Sequence, residues 1–426
     1  MGNFKRHFHL ILLSLSVIAV IIHSGCSSSD NPSGPVFGND SVYVNIVYDE
    51  ATKVFKDNDL SSLNRIDTAN QVYYFDANNS LAASLQEGDN VVVGTYSYFK
   101  VKSLNNDGNE IAVEGEFAPL TDVVKDAEID WDHTVSFEKE AFIQAFLSKG
   151  ASIQKVTNDS LGLSFKYGSF EYSIGIKFNK DLVHLTIIAE KIVADTKVAK
   201  LTVEGELRKF KTTGKIMIKD HVLQDFNASN DFQEGEFSLK VSATGSGTDI
   251  GLEVPLPLLK FPIAGIPFIW FEIKCLVVMN AVVPPDQVAS TFLEYKFKYN
   301  ADLGLQYNKA TEKCDKKANL RSHEFTELNK PHSGATSAMS MSWGLAVPRF
   351  EINVGVPEFY NTTVGWIHSA YLVGGDFTFY PACQRAQVGF YGAYGWALGA
   401  FGMSFASGSG NLWKQEKFFL KAGNCP

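Results

Sequence analysis

Phe170-Glu171-Tyr172-Ser173-Ile174-Gly175-Ile176-Lys177-Phe178 puts an apolar residue at every second position, with Glu171, Ser173 and Lys177 between them. Side chains of an extended chain point alternately to two faces, so this stretch reads as a strand with one face buried and one wet. The alternation spreads in both directions. It covers Leu161 to Tyr167 upstream, and Val183 to Ile192, Lys200 to Leu207, Gly214 to Ile218 and Gly235 to Ala243 downstream. Long amphipathic strands joined by polar turns predict antiparallel sheets.

The N-terminal part carries shorter strand signals at Val42 to Tyr48, Val72 to Phe75, Asn90 to Gly94, Tyr98 to Leu104 and Glu110 to Phe117. Asn105-Asn106-Asp107-Gly108 joins the last two as a hairpin, because Asp-Gly accepts the positive φ of the turn. Between the two β regions lies Asp126-Ala127-Glu128-Ile129-Asp130-Trp131-Asp132, whose four acidic side chains share one face if the segment is extended. That face is either a calcium-binding edge or a solvated linker or edge strand, and the missing oxygen-rich loop with its turn glycine favours the second. Glu138 to Lys149 follows as a helix, with Phe142, Phe146 and Leu147 on one stripe and Gly150 to end it. The expectation is an all-β chain: a flexible tether at 26–40, a small β module at 41–125, an acidic linker and short helix at 126–152, and a large antiparallel β-sandwich or elongated double sheet at 153–426.

Three stretches stand out within that frame. Val-Glu-Gly-Glu-Phe at 113–117 recurs as Val-Glu-Gly-Glu-Leu at 203–207 and Gln-Glu-Gly-Glu-Phe at 233–237. The glutamates of each copy project from one strand face, which suits a paired carboxylate but, three times over, suits a solvated sheet face better. Residues 253–285 form a dense apolar run broken by Pro255, Pro257, Pro262 and Pro267, with Glu272 and Lys274 inside it. The prolines forbid a regular helix, and the charges argue against a transmembrane span, so buried strands are expected, with a lipid-lining segment as the alternative. Gly389 to Phe405 mixes glycine with aromatic residues, which fits sugar-stacking platforms or strands where glycine makes room for large neighbours.

The 426 residues are 45% hydrophobic with a formal charge of -9, enough to bury full cores and acidic enough to argue against nucleic acid and against electrostatic docking on anionic lipid. At the N-terminus, Lys5 and Arg6 precede the apolar run Leu10 to Ile22, which stops at Ser24-Gly25-Cys26-Ser27. A basic start, a short apolar core and small residues before a cut describe a removable export signal. The segment resembles the bacterial lipoprotein signal, which implies cleavage after residue 25 and acylation of the Cys26 thiol, palmitate included. A plain secretory peptide with a free Cys26 is the alternative. In an oxidising compartment the other four cysteines are expected to form two disulfides, Cys275 with Cys314 and Cys383 with Cys425, since these close the shortest loops.

No catalytic signature appears. The histidines beyond the signal stand far apart, His323-Glu324 lacks a second histidine four places on, and no Gly-x-Ser-x-Gly elbow or phosphate-cradling Gly-Lys-Ser loop is present. The cysteines lack the close pairs of a zinc knuckle, and no metal or cofactor is expected.

Leu85-Gln86-Glu87-Gly88-Asp89-Asn90-Val91-Val92-Val93, with Phe99-Lys100-Val101-Lys102-Ser103 and Phe117-Ala118-Pro119-Leu120-Thr121-Asp122-Val123, makes a recognisable module. Together with the Val254-Pro255-Leu256-Pro257 to Gly265-Ile266-Pro267-Phe268-Ile269 stretch and Pro381-Ala382-Cys383 with its Gly-aromatic strands, it resembles large, uncharacterised bacterial secreted and surface lipoproteins of all-β character. The resemblance implies fold and location. The expectation is a lipid-anchored protein of the cell envelope, at the outer membrane or cell surface, non-enzymatic and acting in adhesion, envelope structure or ligand capture. Its partners are the membrane through Cys26 and a glycan, apolar ligand or protein. A polysaccharide-binding or polysaccharide-acting protein, with Trp366, Trp396 or Trp413 lining a groove, and a carrier of lipid lined by 254–283 are the alternatives. An outer-membrane barrel fits less well, because a lipid anchor would be redundant and disulfides are unusual in a lipid-facing wall.

Overall fold

The computed structural model describes residues 41–423, apart from 57, 95–96, 136, 148–149, 168–169, 194–195, 246–247, 264–265, 284–288, 334–338, 357–359, 380–381 and 405. The expected signal, the tether and Cys26 lie outside the described residues, as does Cys425.

In chain order the strands are β1 (Ser41–Tyr48), β2 (Lys53–Phe55), β3 (Leu63–Asp67), β4 (Val72–Asp76), β5 (Asn90–Val93), β6 (Ser97–Asn106), β7 (Glu110–Glu116) and β8 (Val124–Thr134). There follow β9 (Ser152–Val156), β10 (Ser160–Tyr167), β11 (Phe170–Phe178), β12 (Leu182–Val193), β13 (Thr196–Arg208), β14 (Lys211–Lys219) and β15 (Val222–Gly245). The last are β16 (Thr248–Ile263), β17 (Ile266–Val283), β18 (Ala289–Asn308), β19 (Lys313–Ser333), β20 (Met339–Val356), β21 (Tyr360–Phe379), β22 (Ala382–Ala397) and β23 (Ser407–Gly423). Helix is scarce: the single turns α1 (Ser80–Ala83) and α2 (Leu120–Val123), and α3 (Lys139–Leu147).

Two sheets face each other as a β-sandwich. The larger has 11 strands, running β1-β8-β14-β15-β13-β12-β11-β10-β9, with β18 on the other edge of β15 and β19 beyond it. The smaller runs β16-β17-β20-β21-β22-β23, all antiparallel. Aromatic side chains from the two inner faces meet in the middle: Trp131 with Phe271 at 5.0 Å, Phe237 with Tyr371 at 6.0 Å, and Tyr299 with Phe390 at 5.3 Å between ring centres. The inner face of Phe170–Phe178 is the one its alternation predicts, with Phe170, Tyr172, Ile174 and Ile176 buried.

The N-terminal module is a third sheet, β2-β5-β6-β7-β4-β3, with its own small core of Phe55, Tyr73, Phe75 and Phe99. The expected Asn105–Gly108 hairpin is present, with Gly108 at φ +90. Two parts of the expected organisation differ. β1 leaves the module and pairs with β8 in the large sheet. The acidic segment 126–132 is no linker or edge: it is β8 itself, flanked on both sides by β1 and β14. Burial alternates along it, with Ala127, Ile129 and Trp131 in the core and the four acids outside. Cross-strand lysines answer those acids, Lys215 lying 2.7 Å from Glu128 and 3.6 Å from Asp130, and Lys211 2.8 Å from Asp132. A calcium edge would need carboxylates free to converge on one point, and here they are spread along a strand, three paired with ammonium groups and Asp126 accepting the Asp220 backbone N–H at 3.0 Å.

The helix forms as predicted but one face shifts. Phe142, Ala145 and Phe146 are buried, Phe142 against Phe178 at 5.3 Å, whereas Leu147 is 43% exposed. Gly150, at φ +77, donates back to the Leu147 carbonyl and stops the helix, which only a residue without Cβ does cheaply.

The repeated Glu-Gly-Glu pattern is explained by the sandwich. In β13 and β15 the copies are neighbours, Glu206 opposite Glu236 and Gly205 opposite Phe237. Their glutamates lie on the solvent face beside His184, Lys296 and Lys298. Their glycines face inward: a Cβ on Gly205 would stand 2.2 Å from the Phe237 ring, and one on Gly235 would stand 2.6 Å from Tyr299. The motif is thus an aromatic seat beneath a charged surface.

One disulfide expectation is overturned. Cys275 and Cys314 are both buried free thiols. Cys275 sits in mid-strand opposite Leu256 in the smaller sheet, and Cys314 sits opposite Tyr307 in the larger one. A short loop between two cysteines brings them together only if the intervening chain folds back on itself. Here β17 runs on past Cys275 and β18 joins the other sheet. Cys383 lies buried in β22, but Cys425 is outside the described residues, so their pairing stays a proposal.

Candidate functional site

The outer face of the smaller sheet is unlike the rest of the surface. In β17, Phe268, Trp270, Glu272 and Lys274 share one face while Ile269, Phe271, Ile273 and Cys275 enter the core. Register places Glu272 opposite Glu351 of β20, Lys274 opposite Arg349, and Trp270 opposite Asn353. The next strand adds Trp366 opposite Glu351 and His368 opposite Arg349. One stripe of aromatic and ionic groups therefore crosses three strands. β22 continues it with Gly395 opposite Trp366, Ala393 opposite His368, and Tyr391 opposite Ala370.

The charges form a closed chain. The Trp270 indole N–H donates to Glu272 at 2.9 Å, the Lys274 ammonium bridges Glu272 at 2.8 Å and Glu351 at 2.5 Å, and Arg349 Nε donates to Glu351 at 2.5 Å. Glu351 is only 6% exposed in its side chain, so it depends on both cations. Burial pushes the Glu272 carboxyl up, but Lys274 and the Trp270 N–H outweigh it and hold that carboxyl below its usual range. Burial pulls Lys274 down, and its two carboxylate partners more than restore it. His368 faces Arg349 at 3.3 Å. Burial first, and the guanidinium second, lower its pKa to about 3, so the ring is neutral at ordinary pH.

Two rings lie flat on this face, each over a glycine. A Cβ on Gly395 would stand 2.3 Å from the Trp366 indole, and one on Gly389 would stand 2.4 Å from the Tyr391 ring. Arg349 stacks over Trp366 at 4.3 Å and His368 lies beside it at 4.9 Å. Tyr391 donates its hydroxyl to Glu416 at 2.5 Å, and Lys414 lies 5.9 Å from its ring centre. The glycines beneath the two rings are six apart along β22, which at ~3.3 Å per residue sets the platforms roughly 20 Å apart. The N-terminal module touches the same face at one end, through Tyr98 edge-on to Phe268 at 5.1 Å.

Of the tryptophans expected to line a groove, only Trp366 is on this face. Trp396 turns into the core, with Gly408 beneath it, and Trp413 packs on Phe390 at 5.5 Å. The apolar run is likewise core where its side chains are described: Leu258, Leu259, Ile269, Phe271, Ile273 and Val277 all belong to the sandwich interior. Trp270, Lys274, Arg349, Glu351 and His368 carry no motif. Their only trace in the sequence is charge at alternate positions inside apolar strands, Trp270-x-Glu272-x-Lys274 and Arg349-x-Glu351. Among the described residues no group of three or more His, Cys, Asp or Glu could hold a metal, and no helix is long and apolar enough to cross a membrane. Comparison with protein-family models, curated proteins and solved structures finds no match to this chain.

Proposed function

We propose that the protein is held in a bacterial cell envelope by acyl chains on Cys26, at the outer membrane or cell surface, and captures glycan chains without cleaving them on the outer face of the smaller sheet. What carries the reading is the pair of rings, Trp366 and Tyr391, seated flat over Gly395 and Gly389 beside a strip of fixed ionic groups. The seated rings offer apolar surface to a sugar, at Trp366 together with the Arg349 guanidinium stacked over it, and rigidly paired charges beside them offer hydrogen-bond partners to hydroxyls without reorganisation. A sheet face supports this better than a loop, because cross-strand packing fixes each ring.

Binding rather than hydrolysis follows from the carboxylates. A glycosidase needs one carboxyl kept protonated as acid while the other stays ionised. Glu272 is held ionised by Lys274 and the Trp270 N–H, so it is not free to give a proton to a leaving group. The test is retention of the soluble body on a panel of insoluble and immobilised polysaccharides, with product analysis in parallel. Retention without release of sugar is expected. No retention on any polysaccharide, or reducing-sugar release from one, would overturn the reading.

A further inference from the structure

A second feature lies in the middle of the sandwich, on the opposite sheet. β15 changes partner halfway along: its first half pairs with β14 and its second with β13, while β18 runs along its other edge from Asn227 to Gly245. At the handover Asn230 is opposite Leu303 and Gln233 opposite Ala301, so Asp231 and Phe232 together face the single residue Asp302. This is a β-bulge, and Phe232 takes φ +57, a left-handed value costly for a side chain of its size. The bulge is clamped from outside. Asp302 accepts the Phe232 N–H at 2.9 Å, and Arg321 both grips Asp302 at 2.8 Å and stacks over the Phe232 ring at 4.1 Å.

The inward consequence is unusual. By inserting one residue, the bulge resets the alternation so that Asn230 and Gln233 are successive inward positions on a face otherwise built of Phe226, Ala228, Phe237 and Leu239. Both carboxamides are wholly buried. Ser369 of the smaller sheet donates to Gln233 Oε1 at 2.8 Å. Neither amide atom of Asn230 has a protein partner among the described residues, and neither does Gln233 Nε2. Folded proteins seldom leave buried amide groups unpaired, and water is the usual partner where no protein group serves. The neighbours Ala228 and Ala301 carry only methyl side chains and offer the amides no polar partner.

We propose that Asn230 and Gln233 form an internal hydration site in the sandwich core, binding long-lived water that links the larger sheet, through Gln233, to Ser369 of the smaller one. Such a polar plug fixes the register of a 24-residue strand, because a slip of one residue would bury the bulge's charged side and strand both amides. The unmodified protein tests it directly. A crystal structure at atomic resolution should show water within hydrogen-bond distance of Asn230 Nδ2 or Oδ1 and of Gln233 Nε2. Magnetic relaxation dispersion should also show a slowly exchanging water component that N230L/Q233L loses. Direct pairing of the three atoms with other side chains, a dry cavity, or full retention of the slow component in the folded double variant would overturn the proposal.

Discussion

Acidification should destabilise this protein through one ring, His368, over a range in which its neighbour Glu272 stays ionised. In the folded chain the imidazole is pressed against Arg349 within a half-buried strip, and its pKa falls from 6.5 to about 3. Below pH 6.5 the unfolded chain takes up a proton that the folded chain refuses, so stability is present above that pH and is lost as pH falls towards 3. At 1.36 kcal/mol per unit, the loss is about 2 kcal/mol between pH 7 and pH 5, and at most about 5 kcal/mol by pH 3. Partial opening of the ring to solvent makes these upper limits. The window above pH 5 separates His368 from Glu272, whose lowered pKa costs stability only at more acidic pH. Urea unfolding of the wild type and His368→Gln at pH 7 and pH 5 reads the difference. The variant keeps a polar side chain beside Arg349 but cannot titrate, so it should lose about 2 kcal/mol less than the wild type over that interval. Equal losses in the two proteins would refute the reasoning.

Four further outcomes are expected. Lys274→Met leaves the buried Glu351 with Arg349 alone and strips Glu272 of its cation, which should cost about 3 kcal/mol or more, read as a lower midpoint of denaturation. Gly205→Ala drives a methyl against the Phe237 ring and the Glu236 carbonyl, which should cost roughly 1–3 kcal/mol, while the adjacent Glu204→Gln on the wet face should change stability by no more than about 0.5 kcal/mol. Cys275 and Cys314 should resist iodoacetamide in the native protein, since burial raises both thiols, Cys314 to about 12; unfolding without reductant should expose at least two reactive thiols to mass analysis. Finally, mass analysis of the mature N-terminus should find diacylglycerol and a further acyl chain on Cys26, and an unmodified residue there would remove the membrane anchor while leaving the glycan face intact.

The parts of this fold that were legible in the sequence are those set by local pattern. Phe170–Phe178 declares its buried face by alternation, and Asn105–Gly108 declares its turn by the residues that tolerate positive φ. What could not be read depends on register between distant strands. Glu272, Glu351 and Trp366 become neighbours only because two separate strand pairings align them, and no local rule states those alignments. The acidic stretch 126–132 misled for the same reason: its charges suggested solvent, but Ala127, Ile129 and Trp131 alternate with them, and β14 supplies the lysines. The cysteines misled because nearness in sequence said nothing of which sheet each would join. β2 and β3, three and five residues long, are too short to show an alternation, and their place is fixed by β5 and β4.

The central claim, that the outer face of the smaller sheet captures glycan on Trp366 and Tyr391, is tested most directly by affinity electrophoresis of W366A, Y391A and the double variant in gels containing the polysaccharide that best retains the wild type. Truncating an aromatic anchor at a binding face costs more than about 1 kcal/mol. Each single variant should therefore bind several-fold more weakly and the double variant should run as if no polysaccharide were present, all three remaining folded; wild-type retardation of the double variant would contradict the account.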